Sequence, residues 1–189
     1  MQRYKCNAVN ESTANAQQQL SLDSLVRFDA AKRTAGMQLT DDCCVARNTT
    51  GRYEWVLCAV PSDRFEVRIR RSQQPRGLCI GFAAPDAPLD DWNAFWKQSF
   101  LIYTYNSQLY ERGNWGPIGK SNIRENAVVS VANDFAHRAL VFRVDGNELF
   151  DTAGKPYGRR ETGLSAEQFA ALVGAVQMRW KDDEVEIVQ

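Results

Sequence analysis

An antiparallel all-β sandwich is the fold class this sequence predicts, and three observations carry the prediction. Short apolar or alternating runs recur along the chain between turn signals, as in sheet proteins. One run alternates cleanly, with Phe65, Val67 and Ile69 on one face and Glu66, Arg68 and Arg70 on the other. A helical pattern with both a start and a stop signal occurs only late, at Ser165–Leu172. The 189 residues suit one large domain, and a 44% hydrophobic, 11% aromatic composition supplies a core for it.

Residues 1–24 form a polar N-terminal segment, rich in Asn, Gln, Ser and Ala from residue 7. A tail, a short helix and an edge segment all remain open for it. The sandwich domain is placed at 25–189. Leu25–Phe28 is its first strand-like run; Met37–Leu39 and Cys43–Ala46 follow, with Asp41-Asp42 as the turn between them. Tyr53–Val60 is apolar and aromatic and ends at Pro61-Ser62-Asp63. Leu78–Ala83 is nearly continuous apolar chain around Gly81, the pattern of a strand covered on both faces. Pro85, Pro88 and Asp90-Asp91 make 84–98 a loop. Phe100–Tyr105 and Gln108–Tyr110 read as strands about a turn at Asn106-Ser107, and Gly113, Gly116, Pro117 and Gly119 mark a long loop. Ala127–Phe135 and Ala139–Val144 pair through a turn near Ala136–Arg138, and Asp145-Gly146 is a hairpin signal because Gly tolerates positive φ. The helix has Ser165 as N-cap, Gln168 three residues on as in a capping box, and Gly174 at its end. Val173–Trp180 and Glu184–Val188 predict a closing hairpin across Lys181-Asp182-Asp183.

The order of these segments resembles the SPRY (B30.2-like) family. Val26-Arg27-Phe28-Asp29 followed by Gly36–Asp42 is similar to its early "hydrophobic-x-Phe-Asp … Leu-Ser-x-Asp" segment. Arg64–Arg68 resembles its "Tyr-Trp-Glu-Val-x" strand, with Phe65 where Trp is usual, and Cys79–Ala83 its "hydrophobic-Gly-Val-Ala" strand. The most specific likeness is Val128–Phe135 with Arg138–Gly146, similar to the family's paired strands ending in Asn/Asp-Gly. Ala175–Ile187 resembles the closing strands. The resemblance covers about residues 25 to 188 and implies a bent, concanavalin A-like two-sheet sandwich of SPRY type, with one short helix near the C-terminus. It also implies a non-catalytic interaction module that holds a peptide or protein epitope by loops at one rim. Two stretches depart from the family pattern, the helix at 165–172 and the long aromatic segment 84–98.

Composition and motifs narrow the function further. Twenty-three basic residues balance 23 acidic ones, so the chain lacks the overall positive charge of a general nucleic-acid binder. No apolar signal core follows Arg3 and Lys5, and no run approaches the length of a membrane helix. The expected location is intracellular, cytoplasmic or nuclear, not secreted, and the Asn10 and Asn48 glycosylation-like triplets read as chance matches. Cys6, Cys43, Cys44, Cys58 and Cys79 are odd in number and contain no CxxC, which argues for reduced thiols rather than disulfides or zinc; a redox-sensitive Cys43/Cys44 pair remains an alternative. His137 is the only histidine and falls in a turn beside Arg138, so nucleophile–histidine catalysis has little to work with. Glu184 and Glu186 share a strand face, but the Glu-x-Asp-x-x-Glu run of sandwich glycan hydrolases is absent. No phosphate-binding glycine loop occurs, and no cofactor or metal is expected.

A partner surface is expected where large aromatics fall in loops, since Trp is enriched among interface anchors. Those residues are Trp92, Trp96 and Trp115, with Tyr110 beside them and Arg112 as a polar companion. The expected ligand is a protein or short peptide, alone or within a larger complex. The alternatives are a nucleic-acid-binding face along the arginines of Arg64–Arg76 and a carbohydrate-binding sandwich.

Overall fold

The computed structural model of the protein describes residues 26–73, 77–120 and 122–188; the 1–24 segment lies outside them, as do Leu25 and Arg76. The described chain folds into two antiparallel sheets facing each other. The first contains β1 (Phe28–Arg33), β4 (Glu54–Pro61), β6 (Cys79–Ala83), β7 (Ser99–Tyr103), β8 (Gln108–Glu111), β9 (Asn114–Trp115) and β14 (Val173–Met178), in the order β1-β4-β14-β6-β7-β8-β9. The second contains β2 (Met37–Thr40), β3 (Val45–Asn48), β5 (Arg64–Arg71), β10 (Val128–Asp134), β11 (Ala139–Val144), β12 (Asn147–Glu148) and β15 (Glu184–Ile187), in the order β12-β11-β10-β5-β15-β3-β2. A short β13 (Arg159–Glu161) also pairs with β11. Two helices of five residues each, α1 (Trp92–Trp96) and α2 (Ala166–Ala170), complete the domain.

Alternation decides what lies between the sheets. Phe65, Val67 and Ile69 of β5 are each fully buried, while the intervening arginines face solvent. Across the gap, Phe65 meets Phe28 edge-on at 6.4 Å and Phe82 at 6.2 Å. Gly174 of β14 sits opposite that ring: a Cβ there would lie 2.6 Å from the Phe65 ring and 2.8 Å from Cys58 Sγ. The glycine is the space that Phe65 occupies. At the Asp145-Gly146 turn both residues have positive φ, 51° and 75°, and Val144 pairs with Asn147 as in a two-residue hairpin.

Several sequence expectations need correction. The closing hairpin does not form, because β14 lies between β4 and β6 in the first sheet whereas β15 lies between β5 and β3 in the second. The turn residues explain the crossing. Asp182 takes a left-handed φ of 70°, and the buried Asp183 carboxylate accepts from the Trp180 N–H at 3.1 Å and the Gln73 N–H at 2.9 Å. Asn48 Nδ2, at the end of β3, donates to the Met178 carbonyl at the end of β14 and ties the sheets at this corner. Among the described residues the first strand starts at Phe28, with Val26 and Arg27 before it outside the strand. β3 starts at Val45, since Cys43 is still in the turn with φ 64°. The stretch 84–98 is not all loop: Asp91 caps α1, accepting from the Ala94 N–H at 3.1 Å. A second helix thus joins the C-terminal one, whose Ser165–Gln168 capping box forms as expected.

Candidate functional site

Register brings the aromatics together on the outer face of the first sheet. Directly paired residues of an antiparallel sheet point to the same side. Trp55 pairs with Gln177, Gln177 with Cys79, and Cys79 with Tyr103, which makes one row. The next row runs Leu57, Ala175, Gly81, Leu101, Tyr110 and Trp115. Its middle members, Ala175 and Gly81, are small. α1 lies beside these rows, with Phe95 against Trp55 at a 4.0 Å centroid distance and Trp96 edge-on to Tyr110 at 3.9 Å.

The rings left at the surface surround a small pocket. Trp92 and Tyr53 stand on one side, 4.5 Å apart, and Trp115 and Tyr103 on the other, 6.1 Å apart. Trp96 links the two sides, 5.2 Å from Trp92 and 5.7 Å from Trp115. Cys79, Gln177, Gly77 and Arg179 complete the lining of this pocket of about 170 Å³. Tyr53, Trp92 and Trp115 are 41%, 40% and 55% exposed. Gln177 and Trp96 are buried, and neither Gln177 Nε2 nor Trp96 Nε1 has an acceptor among the described residues. Burial without a charged or hydrogen-bonding partner pushes the Cys79 thiol far up, so it is a packing group here and not a nucleophile. The Arg179 guanidinium lies 5.0 Å from the Tyr53 ring and 4.8 Å from the Trp180 ring.

The five residues singled out from the sequence separate on this geometry. Trp92, Trp96 and Trp115 line the pocket. They do so from a helix and a strand, not from loops, and Trp96 is only 5% exposed. Tyr110 is a buried support on β8 under Trp96 and Trp115. Arg112, in the β8–β9 turn with φ 45°, is elsewhere. It borders a separate groove of about 580 Å³ with Lys97, Phe100, Leu164 and Leu172, between the first sheet and α2. Sequence reasoning missed Tyr53, Tyr103, Gln177 and Arg179, because their shared place depends on strand register, which no local signal specifies.

The arginine face of β5 is electrically occupied. Arg70 holds Glu186 at 3.1 Å and Glu184 at 3.6 Å, Arg68 lies 3.7 Å from Glu186, and Arg64 holds Glu66 at 2.7 Å. The same ion pairs engage the two carboxylates weighed above as a glycosidase pair. His137 is exposed and hydrogen-bonds Asp134 at 3.1 Å. Arg159, then His137, hold the Asp134 carboxyl down at about 2.

The two sheets, in this strand order, make an antiparallel β-sandwich. No family model and no curated protein matches the sequence. Among solved structures, the SPRY domain of human HERC1 has a TM-score of 0.67 at 17% identity, covering 86% of this chain and 97% of that one. A human SPRY domain gives 0.63 at 16% identity, over 82% and 95% of the two chains. The PSpry domain of TRIM65 gives 0.64 at 11% identity, over 100% of both. The chain therefore has the SPRY-like fold.

Proposed function

We propose that the protein is a non-catalytic protein-interaction module that holds a peptide or protein epitope on the aromatic face of the first sheet. The observation that carries this reading is the group of Tyr53, Trp92 and Trp115, three large rings kept at the surface around one pocket. A folded domain seldom leaves such rings clustered and exposed unless something covers them. The ion pairs of Arg64, Arg68 and Arg70 weigh against the nucleic-acid alternative along β5, since charges already paired with neighbouring carboxylates release few counterions on binding, although Arg71 has no ion pair among the described residues. Action inside the cell is part of this reading, and the buried thiols of Cys58 and Cys79 accord with it.

The test is proximity crosslinking from a photoreactive residue at position 93, exposed on α1, followed by mass spectrometry, with Trp92→Ala/Trp115→Ala as the comparison. The proposal expects a crosslinked protein in the wild-type background that is lost in the double variant while the thermal unfolding profile stays cooperative. A partner set unchanged by the double variant would sink the assignment of this face.

A further inference from the structure

We propose that the pocket takes a proline ring from an extended, acidic-flanked segment of a partner protein; this rests on the aromatic face being the partner-binding surface.

Size comes first. A pocket of about 170 Å³ is smaller than the roughly 300–1,000 Å³ that drug-sized ligands and cofactors fill. It is near the roughly 150 Å³ of a cavity that accepts one benzene ring, so it has room for one compact side chain. Its mouth lies among exposed rings on a sheet face, so the rest of a bound peptide must run across that surface.

Hydrogen-bond capacity narrows the choice. The lining residues carry the indole N–H groups of Trp92, Trp96 and Trp115, the Gln177 amide and the Arg179 guanidinium as donors, against the Tyr53 and Tyr103 hydroxyls and the Gln177 carbonyl as side-chain acceptors, and no carboxylate among the described residues. Gln177 Nε2 and Trp96 Nε1, both buried, have no acceptor among the described residues. Such a site welcomes carbonyl oxygens and penalises a peptide N–H pressed against the rings. Proline has no N–H to lose, and its polyproline II conformation is already extended, so little ordering entropy opposes docking in an aromatic groove. A ring of phenylalanine would fit by size, but its backbone N–H would be pressed against the aromatic walls and lose its water.

Charge sets the flank. Arg179 is exposed at the pocket edge, packed on the Tyr53 and Trp180 rings and with no ion pair to a carboxylate among the described residues. It favours an acidic residue beside the proline. It also opposes a methylated ammonium, the other ligand that aromatic walls commonly hold, because the guanidinium already lies over the Tyr53 ring.

Synthetic peptides test this on the wild-type protein, read by tryptophan fluorescence and by the indole N–H resonances in two-dimensional NMR. The set is a Glu-Pro-Pro-Glu core in a neutral background, with Ala for both prolines, Phe for both prolines, Lys for both glutamates, and a trimethyllysine peptide. The proposal expects saturable binding of the first, about tenfold weaker binding or worse with Ala or Phe, and about threefold weaker with Lys. Arg179→Ala should erase the Glu-to-Lys difference and leave the proline dependence. Equal binding of the Ala or Phe peptide, or saturation by trimethyllysine alone, overturns the ligand assignment and leaves the surface standing. Silence of every peptide to about 1 mM, with crosslinking still lost in Trp92→Ala/Trp115→Ala, also overturns the ligand class alone. Silence together with unchanged crosslinking overturns both.

Discussion

Replacing Trp96 and Trp115 by alanine, one at a time, separates the ring that builds the aromatic face from the ring that the face offers. A Trp side chain carries up to about 250 Å² of burial. Trp96 is 5% exposed and Trp115 55% exposed, so they withdraw very different areas from water. At about 25 cal/mol per Å², that corresponds to at most about 6 and 3 kcal/mol. Real denatured chains already bury part of this surface, and alanine keeps some of it, which brings the figures down. Trp96 also packs against Trp55, Trp92, Tyr110 and Trp115, so its removal opens a cavity, whereas the space left by Trp115 simply fills with water. The expected losses are about 3–5 kcal/mol for Trp96→Ala and about 1–2 kcal/mol for Trp115→Ala. For a chain of 189 residues, these correspond to drops in Tm of about 12 °C and about 4 °C. Urea and thermal unfolding followed by circular dichroism measure both. Equal losses, or a larger loss for Trp115, would refute the division into scaffold and ligand-facing rings.

Gly174→Ala should cost about 1–3 kcal/mol by overpacking. Combined with Phe65→Leu, it should cost less than the sum of the two single changes, and strict additivity in a double-mutant cycle would count against the Gly174–Phe65 contact as its cause. Burial raises the Asp183 carboxyl from 3.8 to about 6, so the native state holds a proton that the unfolded state releases near pH 4. That contribution favours folding fully below pH 4 and is lost as pH rises through 6, worth up to about 3 kcal/mol. Between about pH 4 and 6.5 the wild type should therefore lose stability relative to Asp183→Asn, with the two curves parallel above that, and parallel curves over the whole range would exclude Asp183 as the group responsible. Glu184→Gln/Glu186→Gln frees Arg68 and leaves Arg70 only its 3.7 Å contact with Asp41, so salt-dependent RNA binding should appear in the variant and be absent from the wild type in a fluorescence anisotropy titration. Binding of equal strength by both would restore the β5 face as a nucleic-acid site.

The sequence by itself determined the parts that depend on neighbours along the chain. Phe65, Val67 and Ile69 face inward because a strand alternates with a period of two, and Asp145-Gly146 turns because those residues tolerate positive φ. Ser165 and Gln168 cap α2 through bonds three residues apart, and Asp91 carried the same kind of signal for α1, hidden among the prolines and aspartates of 84–98. The tertiary structure alone decided which strands lie side by side. β14 and β15 are consecutive and look like a hairpin, yet each gains two partners by entering a different sheet, with Asp183 and Asn48 satisfying the backbone at the corner.

The aromatic site divides in the same way. Trp92, Trp96 and Trp115 stand out in the sequence as large rings outside the clear strands. Tyr110 became their buried support, and Arg112 turned toward another groove because it lies past the end of β8 in a turn with φ 45°, where the strand alternation no longer applies. Tyr53, Tyr103, Gln177 and Arg179 come from β14, β7 and the chain flanking β4 and β14, and meet the tryptophans only through sheet order and register. Those are set by long-range pairing, whose energy is collected once the whole sandwich closes, and no short stretch of chain carries that information.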